Sequence, residues 1–211
     1  MRRPLSRERI LQAALELMDA EGLETLTMRR VAADLGVEAM SLYHHVPNKD
    51  GILEGVFDLV IAKADLPTGA VTAAQWIQGA ADSFRRLAVE HPRIFPLLTS
   101  RPIPLTDEAA AEPLEAGLAA FGRLGLSASE AYAAVQAVSV SLLAIGLLES
   151  QLLLDPDPSA ASRVAEVSTE RFPLLHALPD LELDPGLVWS CLVTALVRGF
   201  GTGLDGRGHT A

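Results

Sequence analysis

The stretch TMRRVAADLGVEAMSLYHHVPNKD, Thr27 to Asp50, decides the fold. Met28, Val31, Ala32 and Leu35 recur at i, i+3, i+4 and i+7, which is one apolar face of an α-helix. Thr27 has the hydroxyl of an N-cap, able to accept from an orphan backbone N–H two or three residues on. Gly36 follows where a left-handed residue ends a helix cheaply. Past that turn Val37 and Leu42 supply apolar anchors, while Glu38, Ala39, Met40, Ser41, Tyr43 and His44 leave a small mixed surface. So short a second helix is unstable alone and serves as a rigid probe held by its neighbours. Its size suits the major groove of B-DNA, which admits one helix. On periodicity alone an ordinary helical hairpin fits as well.

Outward from this hairpin the chain stays helical. Met1 to Leu5 is a short basic arm, either a reach toward a phosphate or minor groove or simply a disordered start. Ser6 can cap a helix whose apolar stripe is Ile10, Leu11, Ala14, Leu15, Leu17 and Met18 and which Gly22 closes. Pro47 stops the probe, and Asn48 caps a fourth helix buried through Ile52, Leu53, Val56, Phe57 and Val60. Leu66 to Val71, with Pro67 and Gly69, reads as the boundary between a head, residues 1–65, and a body, residues 66–211.

In the body, Ala73 to Ala88 predicts a helix ending near His91, and Phe95 to Thr99 a short one. Thr106 to Leu124 predicts another, helical at least from Pro113, which a first turn tolerates, and ended by Gly125. Ser127 and Glu130 spell a capping box before Ala131–Leu148, a run without a charge. That run is near the length of a membrane span, but Tyr132, Gln136, Ser139 and Ser141 interrupt it and no basic flank stands beside it. A buried helix is the better reading, as for the second apolar segment, Leu187–Val197. Two such helices exceed what one small core hides, so part of them is expected to face a second copy as a four-helix interface. Leu154–Ser162 and Pro173–Gly186 read as loops, Ala161–Phe172 as helix, and Asp205–Ala211 as disordered.

Acidic residues outnumber basic ones by 27 to 17, so the chain does not coat nucleic acid nonspecifically. Residues 1–63 carry a net −2 and the rest −8, which throws any DNA contact onto a few placed cations. Arg2, Arg3, Arg7, Arg29, Arg30 and Lys49 are those cations. One cysteine, Cys191 in an apolar run, excludes a disulfide framework and a cysteine-rich zinc site and is expected to be buried. No apolar segment follows the first basic residues, so the expected location is the cytoplasm. None of GxSxG, HExxH, GxGxxG or GxxxxGK[ST] occurs, and the glycine-rich GFGTGLDG, Gly199–Gly206, follows a helix rather than a strand. Neighbouring His44 and His45 point to different sides of a helix and do not chelate one metal easily. The reading is therefore of a protein that is not an enzyme, with no catalytic residues, metal site, cofactor or membrane contact.

SLYHHVPNKDGILEGVF, residues 41–57, resembles the signature that closes the DNA-binding domain of the tetracycline-repressor (TetR) family. The matching positions are Leu42, Tyr43, His45, Asn48, Lys49, Ile52 and Leu53, preceded by Leu26, Thr27, Val31, Ala32, Leu35, Gly36 and Val37. The likeness is strong over about residues 6–60 and continues weakly through Ser83–Arg86, Arg101–Pro102 and AVSVSLLAIGLLESQ. It implies an all-α chain: an N-terminal three-helix helix-turn-helix domain joined by a fourth helix to a helical ligand-binding and dimerisation domain.

By the resemblance, Thr27, Arg29, Ala39, Met40, Ser41, Tyr43, His44 and Lys49 make the DNA site. Tyr43 and Lys49 would hold phosphates, and Arg29 a guanine edge. His44 reads as a base or phosphate contact, His45 as packing, and Met40 fits a contact or the core equally. A homodimer would reach an inverted-repeat operator and act as a repressor released by a small molecule. Phe84, Leu98, Phe121, Gln136 and Ser139 are the candidate pocket residues. Of the positions that hold magnesium–tetracycline in the family's founding member only Phe84 and Glu149 remain, and Leu97 or Leu98 replaces the metal-binding histidine. An apolar, metal-free effector is expected. A small-molecule carrier with a vestigial head is the alternative.

Overall fold

The computed structural model describes residues 4–69, 71–99, 108–155, 167–177 and 184–201, and among these all regular structure is helical. The head is built as its caps dictate. Helix α1 (Arg7–Glu21) opens on Ser6, whose hydroxyl accepts from the Arg9 N–H at 3.3 Å, and closes at Gly22 with φ 94°. A 3-10 turn, Leu23–Thr25, leads to α2 (Met28–Leu35), capped by Thr27 Oγ1 accepting from Arg30 N–H at 3.1 Å. Gly36 is left-handed at φ 66°, ψ 39°, and its N–H and that of Val37 close on the carbonyls of Ala33 and Ala32. Helix α3 (Ala39–Leu42) is a single turn. Asn48 Oδ1 then caps α4 (Lys49–Ala62), accepting from Gly51 N–H at 2.9 Å.

What holds the head is the meeting of α1 with α2 and α4. Leu11, Leu15, Leu42, Val46, Ile52 and Phe57 are all buried in the shared core. The α1–α4 approach is close enough that a Cβ at Gly55 would stand 2.5 Å from both methyls of Leu11.

In the body, α5 (Ala73–Glu90) is central and packs on α7 (Glu108–Gly122), α8 (Ala128–Leu154) and α10 (Pro185–Gly201). Two capping boxes fix starts: Thr72 with Gln75 on α5, and Ser127 with Glu130 on α8. The Trp76 indole on α5 donates to the Pro113 carbonyl at 2.9 Å, and Phe121 meets Trp76 and Phe200 edge to face at 6.0 and 4.9 Å. Helix α6 (Phe95–Thr99) forms over the expected residues, and the structure sets it against α8.

Several expectations are corrected. Pro113 lies inside α7, not in its first turn; the helix begins at Glu108, and proline there forfeits one helical N–H. Helix α8 runs past Leu148 to Leu154, because Glu149, Ser150 and Gln151 are polar without being helix breakers. It stops at Asp155, whose backbone (φ −145°, ψ 82°) has left the helical region that a following proline disfavours. Residues 167–172 are not helical, whereas α9 (Pro173–His176) is one turn within an expected loop. The expected helix over 161–166, the loop over 156–162 and the tail 205–211 lie outside the described residues.

Cys191 is exposed, not buried. The core face of α10 belongs to Trp189 and Val193, and Cys191 falls on the opposite side. Helix α8 is long and apolar enough to cross a membrane by length and composition. One face of it, through Val135, Val138, Leu142 and Ile145, is buried in the core. The other leaves Tyr132, Val140 and Leu153 exposed, Val140 to 64%.

Candidate nucleic-acid interface

The α2–turn–α3 hairpin displays a surface whose members follow from which residues the core claims. Val31 and Ala32 are the buried positions of α2, and from residue 37 to 50 only Leu42 and Val46 are buried, so the residues around them are left at the surface. Met40 is 70% exposed, which rules out the core-packing reading of that side chain. Tyr43, His44 and His45 are exposed as well. His45 thus does not pack, contrary to expectation, because Val46 takes the inward position beside it. Ala39 and Ser41 are half-buried at the base of the turn, and Thr27 is exposed while its hydroxyl caps α2.

The cations divide into free and engaged. Arg30 pairs with Glu21 at 2.6 Å and with Asp34 at 3.5 Å, which fixes α2 to the end of α1. Arg29, next to it and exposed, has no ion-pair partner among the described residues. Lys49 stands, half-buried, at the first position of α4, a helix start whose first N–H groups lack helical partners and favour an anion. The surface so formed, one bare guanidinium, one ammonium at a helix start, a phenol and an imidazole around a protruding turn, can bond phosphates and base edges.

The pocket residues separate. Phe84, Leu98 and Phe121 are buried in the closed core, Ser139 is half-buried, and Gln136 is exposed with its amide donating to the Tyr132 hydroxyl at 3.2 Å. Two shallow grooves, of about 300 and 240 Å³, run along α10 instead. The smaller is lined by Gln78, Asp82, Arg85, Trp189 and Thr194 among others, none of them on the expected set. Behind it Glu149 is 5% exposed; it accepts from Arg85 Nε and Nη2 at 3.3 Å, and Trp189 Nε1 donates to its other oxygen. The resemblance singled out Glu149 and the Ser83–Arg86 stretch, but not that Arg85 and Trp189 both bond to Glu149.

Also unforeseen is the seam between head and body. His91 Nδ1 lies 2.7 Å from Asp19 Oδ2, and Arg93 Nη1 donates to the Asp19 carbonyl at 3.2 Å. Burial raises the Asp19 carboxyl above its ordinary value of 3.8, against the pull of the His91 bond and charge and the charges of Lys63 and Arg93; its Oδ1 is buried with no hydrogen-bond partner among the described residues. A raised acid binds its proton more tightly folded than unfolded, so its contribution to stability is lost as pH rises from 3.8 through the raised value. Asp19→Asn, which does not ionise, is expected to match wild type at the acid end and to gain on it across that interval. Urea denaturation of both proteins at a series of pH values checks this; a constant difference would contradict it.

Residues 10–56 match the family model described as bacterial regulatory proteins, tetR family. The chain is 36% identical over 152 residues to the HTH-type transcriptional repressor DrrR1 of Streptomyces coeruleorubidus, covering 70% of this chain but only 54% of that protein. It is 30% identical over 202 residues to the class D tetracycline repressor protein of Escherichia coli, covering 93% of this chain and 89% of that one. Among solved structures, ActR of Streptomyces coelicolor in complex with (S)-DNPA superposes with a TM-score of 0.78 at 27% identity, over 95% and 98% of the two chains. ActR in complex with actinorhodin gives 0.78 at 25% identity, over 99% of each.

The family match and these repressor relatives, on this fold, define a helix-turn-helix DNA-binding regulator of transcription. The chain belongs to the TetR family of ligand-responsive transcriptional repressors.

Proposed function

We propose that two copies of this chain pair through α8 and α10, so that each inserts its α3 into one of two successive major grooves of an inverted-repeat operator. The head is residues 1–65 and the regulatory and pairing body residues 66–211. The observation that carries the reading is the exposed apolar face of the two pairing helices, Val140, Leu153, Leu187 and the bare Cys191, in the same chain as a protruding turn flanked by Arg29 and Lys49. An apolar face of that kind is ordinarily covered. Two-fold pairing covers it with itself and fixes the separation of the two probes.

Repression ends when a small apolar effector binds the body. ActR is seen with actinorhodin and with (S)-DNPA, which supports a small-molecule effector for this chain too. Leu97 and Leu98 are buried hydrocarbon and offer no metal ligand, in keeping with an apolar effector that needs no ion. The effector acts by binding the two arrangements of the heads unequally. Thr27, Arg29, Ala39, Met40, Ser41, Tyr43, His44 and Lys49 form the DNA surface.

A gel shift with the DNA flanking its own coding region, together with sedimentation at micromolar concentration, tests the reading. Sequence-selective retardation by a dimer is expected; a monomer, or a dimer with no selective binding, overturns it and leaves a ligand carrier. Within that assay Lys49→Met is expected to weaken binding to all sequences alike, by about threefold to tenfold, and to lower the salt slope by about one. An effect confined to one sequence would reassign Lys49 from phosphate to base.

A further inference from the structure

One turn of α5 grips the linker between head and body. Helix α4 ends at Ala62, and the chain leaves it through Asp65, whose φ of 49° makes it the one non-glycine residue with positive φ among those described. Side chains other than glycine adopt that conformation rarely, and Asp65 is held in it. The hydroxyl of Ser83, itself only 3% exposed, donates to the Asp65 carbonyl at 3.0 Å. Arg86 Nη2 donates to the neighbouring Ala64 carbonyl at 3.0 Å. Past the end of α5 at Glu90, His91 and Arg93 take hold of Asp19 on α1.

Between Ser83 and Arg86 stands Arg85, which points to the other side. Its guanidinium meets Glu149 of α8, and the second oxygen of Glu149 takes the indole N–H of Trp189 on α10. Glu149 and Trp189 are both buried. A buried carboxylate that loses a donor does not stay where it is; its remaining partner must move to it or water must enter. The remaining partner is Arg85, on the same helical turn that grips the linker, and a helix moves as a rigid piece.

We infer that the Ser83–Arg86 turn of α5 is a two-sided coupling element, through which the C-terminal helix α10, by way of Trp189, Glu149 and Arg85, sets the position of the reading head held by Ser83 and Arg86. Ser83 and Arg86 are thus positioning residues for the head, and Trp189 acts on it without touching it. The consequence for DNA affinity rests on the function proposed above; the coupling itself does not.

Hydrogen exchange of the full chain without DNA separates the two. The reporters are the amides of Lys63 and Ala64, bonded to the carbonyls of Leu59, Val60 and Ile61 at the end of α4. Ser83→Ala is expected to speed their exchange by about tenfold, and the remote Trp189→Phe by about three- to thirtyfold, the range of coupling energies across packed elements. Arg85→Met, a change at a side chain 44% exposed, tests the same link should Trp189→Phe fail to fold. Exchange at 63–64 that stays at the wild-type rate in both Trp189→Phe and Arg85→Met, with changes confined to 145–155 and 185–193, overturns the inference. If the linker responds while even wild type leaves the flanking DNA unshifted, the coupling stands and the DNA reading falls.

Discussion

Gly146→Val is expected to destabilise the protein by about 3 kcal/mol, at the upper end of what overpacking a core costs. Two effects oppose each other at this position. Glycine is a poor helix former, so any side chain in the middle of α8 gains a few tenths to about 1 kcal/mol of propensity. Against that, a Cβ at Gly146 would stand 2.4 Å from Phe95 Cζ and 2.7 Å from Cε1, nearer than real Cβ contacts come. Phe95 is fully buried, so its ring can yield only by disturbing the core packed around it. The clash wins. For a chain of this size the loss lowers Tm by roughly 6–12 °C, measurable by thermal denaturation. Phe95→Ala in the same chain is expected to recover part of it, a departure from additivity that marks direct contact. A Tm within a degree or two of wild type would mean that α6 does not rest on α8 through this ring.

The second large effect concerns recognition. Arg29→Ala is expected to reduce selective operator binding by about 10- to 100-fold, the worth of a bidentate arginine–guanine contact. The same change should relax preference at one base pair of each half-site and leave nonspecific affinity nearly untouched. Arg29 is singled out over Arg30 because Glu21 and Asp34 already occupy the Arg30 guanidinium. Arg30→Ala is therefore expected to cost little affinity; both of its ion pairs are exposed, so it costs little stability as well. Competition gel shifts with single-base operator variants distinguish the two arginines. Equal losses at every variant would make Arg29 a phosphate contact.

Much of this molecule was legible without coordinates, and the reason lies in the range of the interactions concerned. The three caps at Ser6, Thr27 and Asn48, the left-handed Gly36 and the stripe Ile52–Val60 all arise within a few residues, and each stands where its local chemistry puts it. The capping box at Ser127 and Glu130 likewise starts α8 as read. The exposed sides of α8 and α10 were implied by a count of apolar helices against one core, although Cys191 was assigned the wrong side of its helix.

What the chain's order does not reveal is which distant residues meet. His91 and Asp19 are 72 residues apart, Arg85 and Glu149 64, and Trp189 and Glu149 40, and no periodicity links such pairs. Local propensity and periodicity determined by themselves where helices begin, where they end and which stripe is apolar. Only the tertiary packing decided that Val46 rather than His45 turns inward, that Phe84 and Phe121 close into the core, and that one turn of α5 holds both the linker and Glu149. The physical reason is that a helix is specified by bonds spanning four residues, whereas the neighbours of its faces are chosen by the burial free energy of the whole assembled core.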